Sequence, residues 1–152
     1  MNAILKAEIA KHLAPFPDAA NFLVAYGILC HSVDDLVDLD NPRFPDRKLL
    51  ILDCYNLACD VYSSRFYHDN LAWIYPLVKA VHRIYSASVV WENSEVKWKA
   101  EYANTIRCFG AEMIVAVLEH IAHLPYAELR RLDAALREDS WVRQNKEEEK
   151  AA

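Results

Sequence analysis

The chain has 152 residues, of which 54% are hydrophobic and 11% aromatic, and its formal net charge is −5. A domain of this length buries enough surface to fold without a metal ion or a disulfide, and the acidic balance argues against a general nucleic-acid-binding protein, which needs a basic surface. Only 2 glycines and 6 prolines are present, which leaves little provision for tight β-turns. The composition therefore favours an all-α domain.

The sequence also allows a prediction of the cellular compartment. No run of about 18 uninterrupted apolar residues exists, so no membrane span is predicted. The first 13 residues place Lys6, Glu8 and Lys11 among apolar side chains and lack the apolar core of a signal peptide, so we expect a cytoplasmic protein. Four cysteines without CxxC spacing favour reduced, buried thiols over disulfides or a metal site. They are Cys30, Cys54, Cys59 and Cys108.

Apolar residues recur at helical spacing in six segments. In chain order the predicted helices cover about residues 3–13, 18–40, 47–66, 70–91, 94–123 and 125–143. Pro76 is expected either to kink the fourth helix or to lie in its first turns. Short connections imply antiparallel neighbours, so we predict one helical domain over residues 1–144, an up-down bundle of four main helices plus two accessory helices. Residues 145–152 are predicted to form a charged, disordered tail.

The second predicted helix is apolar around most of its circumference, except for one narrow sector near its C-terminal end. That sector contains His31, Asp34, Asp35 and Asp38 at spacings of 3 or 4 residues. Like charges at these spacings repel one another, and the helix dipole further disfavours negative charge near a C-terminus. We therefore expect a cation beside this sector, with a solvated acidic helix face as the alternative.

The third predicted helix carries a similar sector with Asp53, Asn56 and Asp60. Because a proline-containing connection turns the chain back, this sector could face Asp35 and Asp38. Oxygen ligands from two antiparallel helices suit Mg²⁺ or Mn²⁺, which keep some waters and bridge to substrate phosphates. The predicted metal ligands are Asp34, Asp35, Asp38, Asp53 and Asn56.

Basic side chains are needed to hold a diphosphate beside such a metal. Lys79 and Arg83 share one face of the fourth predicted helix, and the fifth supplies Arg107. With His31, these are the predicted substrate-binding residues.

Residues 25–38 read Ala-Tyr-Gly-Ile-Leu-Cys-His-Ser-Val-Asp-Asp-Leu-Val-Asp. This segment resembles the first aspartate-rich helix of the all-α isoprenoid synthases, particularly the squalene and phytoene synthase type. In that family a DDxxD segment binds Mg²⁺ ions that hold the substrate diphosphate. The resemblance implies that Asp34, Asp35 and Asp38 bind metal, and that the metal promotes ionisation of an allylic diphosphate.

A second resemblance rests on spacing. Asp35-x-x-Asp38 followed by Asp53-x-x-Asn56 is similar to the ExxE and ExxD motifs of the all-α NTP pyrophosphatases of the MazG and dimeric dUTPase types. This resemblance implies hydrolysis of a nucleotide at a Mg²⁺-bound diphosphate. Both resemblances share metal-assisted diphosphate chemistry, in which the cation neutralises charge on phosphoryl oxygens.

Two classes of function remain open. The first is a Mg²⁺-dependent enzyme acting on a diphosphate-bearing small molecule, which requires Asp35 and Asp38 to line a cavity with a carboxylate from another helix. The second is a non-catalytic helical adaptor or regulatory protein, or a degenerate enzyme relative, and the absence of a second aspartate-rich motif favours it. The apolar excess also favours a homodimer.

Overall fold

The computed structural model describes residues 3–38, 46–106 and 109–136. These residues form helices and no strand, which confirms the prediction of an all-α fold. The helices are α1 (Ala3–His12), α2 (Pro17–Asp38), α3 (Arg47–Ser63), α4 (Arg65–Asp69), α5 (Leu71–Glu92), α6 (Lys97–Ile106), α7 (Phe109–Ala122) and α8 (126–136). None of the helices in this described part is long and apolar enough to cross a membrane.

Contacts along the backbone divide the chain into two compact units, Met1–Ile74 and Tyr75–Ala152. The boundary lies inside α5. The single helical domain predicted over residues 1–144 stays a prediction, and the charged tail predicted for residues 145–152 lies outside the described residues.

In the first unit α2 packs against both α3 and α4. Pro17 opens α2 at a position where its missing N–H is not needed, and Asp18 follows in the first turn, where the helix dipole favours an acidic residue. The buried side of α2 carries apolar and aromatic side chains at helical spacing. They include Phe22, Leu23, Tyr26 and Leu29.

The α2–α3 pair is antiparallel. Near the start of α2 the ring of Phe22 lies 5.2 Å from the ring of Phe66 in α4. Near the end of α2 the carboxylate of Asp35 acts electrostatically on Cys54 in the middle of α3. The two helices therefore run in opposite directions, and the acidic C-terminal end of α2 lies beside the N-terminal half of α3.

The predicted third helix over residues 47–66 is wrong at its C-terminal end, because the helix stops at Ser63 and a new helix follows. Ser64 adopts extended backbone angles, φ −63° and ψ 143°. Its hydroxyl donates to the Val61 carbonyl at 2.7 Å and accepts from the Tyr67 N–H at 3.3 Å. One side chain thus ends α3 and caps α4, and the two aromatic residues of α4, Phe66 and Tyr67, are buried.

The second unit has its own core, formed by α5 to α8. Pro76 lies inside α5, five residues after the helix begins at Leu71. The predicted fifth helix over residues 94–123 corresponds to α6 and α7, with residues 107–108 between them outside the described part. His123 then adopts φ 51° and ends α7 in a left-handed conformation. The buried side chains of this core include Val78, Val81, Tyr85, Met113, Val117, Leu118, Leu129 and Leu132.

Candidate functional site at the α2–α3 helix pair

The acidic sector of α2 lies at the edge of the helix pair. Asp34 and Asp35 are partly buried, whereas His31 and Asp38 are exposed. The sequence predicted a sector flanked on both sides by apolar surface, and the structure leaves part of that surface exposed, at Ile28 and Val37. Asp35 acts electrostatically on Cys54 of α3, whereas Asp34 acts on Cys30 of α2 itself.

Asp35 of α2 and Asp53 of α3 lie near the same thiol. The pKa of Cys54 is raised, first by burial, then by the carboxylate of Asp53 and then by that of Asp35. Asp53 precedes Cys54 in the chain, but Asp35 reaches it from the neighbouring helix. Packing of α2 against α3 thus places two carboxylates that lie 18 residues apart in the sequence close enough to one thiol for both to raise its pKa.

The predicted metal ligands are not grouped as a complete coordination site. In the described part of the chain, no three side chains of His, Cys, Asp or Glu are grouped so that they could hold a metal ion. Asn56, the fifth predicted ligand, is exposed on α3. Mg²⁺ is commonly held by one or two carboxylates together with waters and substrate phosphates. A Mg²⁺ or Mn²⁺ site at this helix pair therefore stays a prediction.

The basic residues predicted to contact phosphate belong to the second unit or lie outside the described residues. Lys79 and Arg83 are both exposed on α5. The Lys79 ammonium lies 5.9 Å from the centroid of the Tyr75 ring, a cation–π arrangement. Arg107 lies outside the described part of the chain. Their role in phosphate binding stays a prediction.

A cluster of two tyrosines and a cysteine, of which Tyr26 is buried and Cys30 and Tyr62 are partly buried, lies near the acidic sector. Tyr26 and Cys30 lie one turn apart on α2, and the pKa of the Tyr26 hydroxyl is raised, first by burial and then by Cys30. Burial is the main cause that raises the pKa of Cys30 to about 12; the neighbouring Tyr26 opposes this rise and the Asp34 carboxylate adds to it. Burial also raises the pKa of Tyr62 to about 12, with further contributions from Cys30 and Tyr67.

All three groups of this cluster are neutral near pH 7, so Cys30 is not an activated nucleophile. No pattern in the sequence singled out this cluster, although the spacing of Tyr26 and Cys30 places both on one helix face. The cysteines of the first unit are free thiols, and Cys59 is exposed, contrary to the expectation that it is buried.

Aromatic rings hold the start of α2 against α4. The Phe22 ring lies 5.8 Å from Tyr26, 5.2 Å from Phe66 and 6.4 Å from Tyr67, measured between ring centroids. Tyr62 meets Tyr67 edge to face at 5.2 Å. Such contacts fix the register of the helix pair because large rings pack in only a few arrangements.

A cavity of about 270 Å³ opens beside this aromatic cluster, at the opposite end of α2 from the acidic sector. Phe22, Val61 and Phe66 form its apolar part, and Arg65 at its margin pairs with Asp69 at 3.2 Å. None of the predicted metal ligands lines this cavity. The polar residues that do were not predicted as site residues: Asp18, Asn21, Asp60, Ser64 and Arg65.

The fold and this site define an all-α protein in which Asp35 on one helix and Asp53 on its antiparallel neighbour both act on the thiol of Cys54. Comparisons with models of protein families, with curated protein sequences and with solved structures found no match.

Proposed function

We propose that this protein binds Mg²⁺ or Mn²⁺ together with a diphosphate-bearing small molecule at the acidic end of the α2–α3 pair. The observation that carries the proposal is the position of Asp35 and Asp53, which flank Cys54 from two different helices. Two carboxylates, waters and phosphate oxygens complete an octahedral Mg²⁺ shell without a third acidic ligand. Asp34 and Asp38 on the same sector of α2 supply further negative charge for a second cation.

The bound cation would neutralise charge on the diphosphate and make it a better leaving group or a better target for water. Ionisation of an allylic diphosphate corresponds to the isoprenoid-synthase resemblance. Attack of water on a phosphoryl group corresponds to the NTP-pyrophosphatase resemblance. We also propose that the four main helices form an up-down bundle, because both resemblances imply an all-α bundle.

The second candidate is a non-catalytic helical adaptor or regulatory protein. Two observations favour it: no three candidate ligand side chains are grouped in the described residues, and the outer face of α3 exposes large apolar side chains. In this case the acidic sector of α2 is a solvated face, and the apolar face of α3 is the functional surface.

Thermal unfolding distinguishes the two candidates. The wild-type protein, stripped of metal with a chelator, is heated with Mg²⁺, Mn²⁺ and inorganic diphosphate, each alone and in combination. A ligand that binds only the folded state at 100 times its Kd adds about 2.7 kcal/mol to the free energy of unfolding. We expect this gain for metal plus diphosphate and expect Asp35→Asn and Asp53→Asn to abolish it.

Asp60→Asn is the matched control, because Asp60 lies two turns beyond Asp53 on the same helix and is exposed. This variant should keep the full gain. If metal and diphosphate leave the melting temperature of the wild-type protein unchanged, the enzyme hypothesis is contradicted and the adaptor hypothesis remains.

A further inference from the structure

Three segments of the first unit line the cavity of about 270 Å³ that opens beside the aromatic cluster. Its α2 side is one face of that helix, because the lining residues follow the first of them at spacings of 3, 4 and 7 residues. They are Asp18, Asn21, Phe22 and Ala25. The last turn of α3 and the junction between α3 and α4 supply the rest, which are Asp60, Val61, Ser64, Arg65 and Phe66.

Packing fixes the shape of this cavity. The Phe22 and Phe66 rings lie 5.2 Å apart between centroids, and the Ser64 hydroxyl is held by the Val61 carbonyl at 2.7 Å. Buried apolar side chains with a few polar groups at the margin are typical of a site for a small molecule. An apolar cavity of about 150 Å³ holds one benzene molecule. The larger volume of this cavity therefore holds a ring-sized body with a short polar extension.

The polar margin of the cavity carries an excess of negative charge. Its ionisable side chains are Asp18 from α2, Asp60 from α3 and Arg65. Arg65 already pairs with Asp69 at 3.2 Å, whereas within the described residues the side chains of Asp18 and Asp60 form no hydrogen bond or ion pair. Two such carboxylates beside an apolar wall attract a cation and repel an anion.

We propose that this cavity binds a small organic cation, a protonated amine on an apolar body of about the size of a benzene ring. The ammonium group lies at the margin beside the carboxylates of Asp18 and Asp60, and the apolar body contacts the buried rings of the cavity. An inorganic cation has no apolar surface to remove from water, and an anion is repelled by the two carboxylates. This inference is independent of the proposed metal site, because neither Asp35 nor Asp53 lines the cavity.

An NMR titration of the isotopically labelled protein measures the binding and locates it. The ligand is 2-phenylethylamine, and three relatives separate its charge from its ring: neutral 2-phenylethanol, anionic 3-phenylpropionate and ethylamine, which lacks the ring. We expect the Kd of 2-phenylethylamine to be about tenfold lower than that of 2-phenylethanol, the difference that one charge-assisted hydrogen bond provides. The amide shift changes should be concentrated at the residues that line the cavity.

Asp60→Asn tests the charge of the margin. Asp60 is exposed, so the variant should keep the wild-type circular dichroism spectrum. Its Kd for 2-phenylethylamine should rise about tenfold, and its Kd for 2-phenylethanol should stay unchanged. Glu95→Gln is the matched control, because it removes one negative charge at an exposed position of the second unit and should leave both Kd values unchanged.

Ala25→Leu tests the volume of the cavity. Ala25 is partly buried in the lining, and a larger side chain there occupies the space of the ligand. The variant should lose binding of 2-phenylethylamine and of 2-phenylethanol alike while it keeps the wild-type circular dichroism spectrum. If Ala25→Leu does not fold, the exposed substitution Asp60→Asn decides the proposal.

Three results overturn the proposal. The first is an amine that binds no more tightly than 2-phenylethanol, or less tightly than 3-phenylpropionate. The second is an Asp60→Asn variant with an unchanged Kd for the amine, and the third is a set of shift changes away from the cavity. The proposed metal site is judged separately, because its test is thermal unfolding with metal and diphosphate and Asp60→Asn should leave that gain intact.

Discussion

The carboxylate of Asp35 on α2 lies near the thiol of Cys54 on α3, and the pKa of that thiol is raised first by burial, then by Asp53 and then by Asp35. This relationship joins the acidic end of α2 to α3. Since a cysteine reacts only as its thiolate, the reactivity of Cys54 reports on the negative charge around it.

Asp35→Asn should speed the alkylation of Cys54 by about twofold, because removing a nearby negative charge lowers the pKa of the thiol. The rate is measured by iodoacetamide labelling and peptide mass spectrometry, with the exposed Cys59 of the same molecule as an internal reference. Asp18→Asn, at the other end of α2, should leave the ratio of the two rates unchanged. Equal ratios in Asp35→Asn and wild type would contradict the assigned proximity.

Phe22→Ala should lower the free energy of unfolding by about 3–5 kcal/mol, because it empties a buried ring position where Phe22 is only 2% exposed. Phe66→Ala should also destabilise strongly. A double-mutant cycle should give a coupling of about 0.5–1.5 kcal/mol, as expected for rings in direct contact. Urea denaturation measures all four proteins. Strictly additive effects would show that the two rings do not pack together.

Ser64→Ala should cost about 0.5–2 kcal/mol, because it removes the hydroxyl that accepts from the Tyr67 N–H and caps α4. Ser63→Ala is the matched control, since Ser63 is exposed in the last turn of α3, and it should change the stability by less than about 0.5 kcal/mol. Chemical denaturation checks both variants. Equal effects of the two changes would refute the capping role of Ser64.

Alkaline pH should destabilise the first unit. Folding raises the pKa of Cys30 from 9.0 and that of Tyr62 from 10.0, in each case to about 12. Below pH 9 both groups are protonated in the folded and unfolded states, so their stabilising contribution is fully present. Above it the unfolded chain ionises first, and each group lowers the free energy of unfolding by up to about 1.4 kcal/mol per pH unit until its folded pKa is reached.

In Cys30→Ala the alkaline loss that begins near pH 9 should be smaller, because only Cys54 then contributes a raised thiol pKa there, while the loss from Tyr62 should still begin near the ordinary pKa of tyrosine. The measurement is the free energy of unfolding from urea titrations between neutral and strongly alkaline pH. Tyr75→Phe is a control from the second unit, because Tyr75 is half exposed, and its profile should parallel that of the wild type. Parallel profiles for Cys30→Ala and wild type would be inconsistent with a buried, neutral thiol.

Much of the helical structure can be predicted from the sequence, because the signals that begin a helix are local. Pro17 and Asp18 mark the start of α2, and Asp46 caps α3 by accepting from the Lys48 N–H at 2.9 Å. The end of α3 could not be predicted in this way. Apolar periodicity continues through Phe66 and therefore predicts one longer helix. In the structure the helix ends before Ser64, and a second helix with buried aromatic rings follows.

The candidate site, too, could be predicted from the sequence only in part. Spacing alone places Asp34, Asp35 and Asp38 on one sector of a helix, since 3.6 residues complete each turn. The register of α2 against α3 depends on packing between residues distant in sequence, such as Phe22 on Phe66 of α4, and in this register Asp35 lies near Cys54. Helical periodicity is a property of the local backbone, whereas register and burial depend on side chains distant in sequence. The acidic sector could therefore be predicted from the sequence, and its neighbours were decided by the tertiary structure.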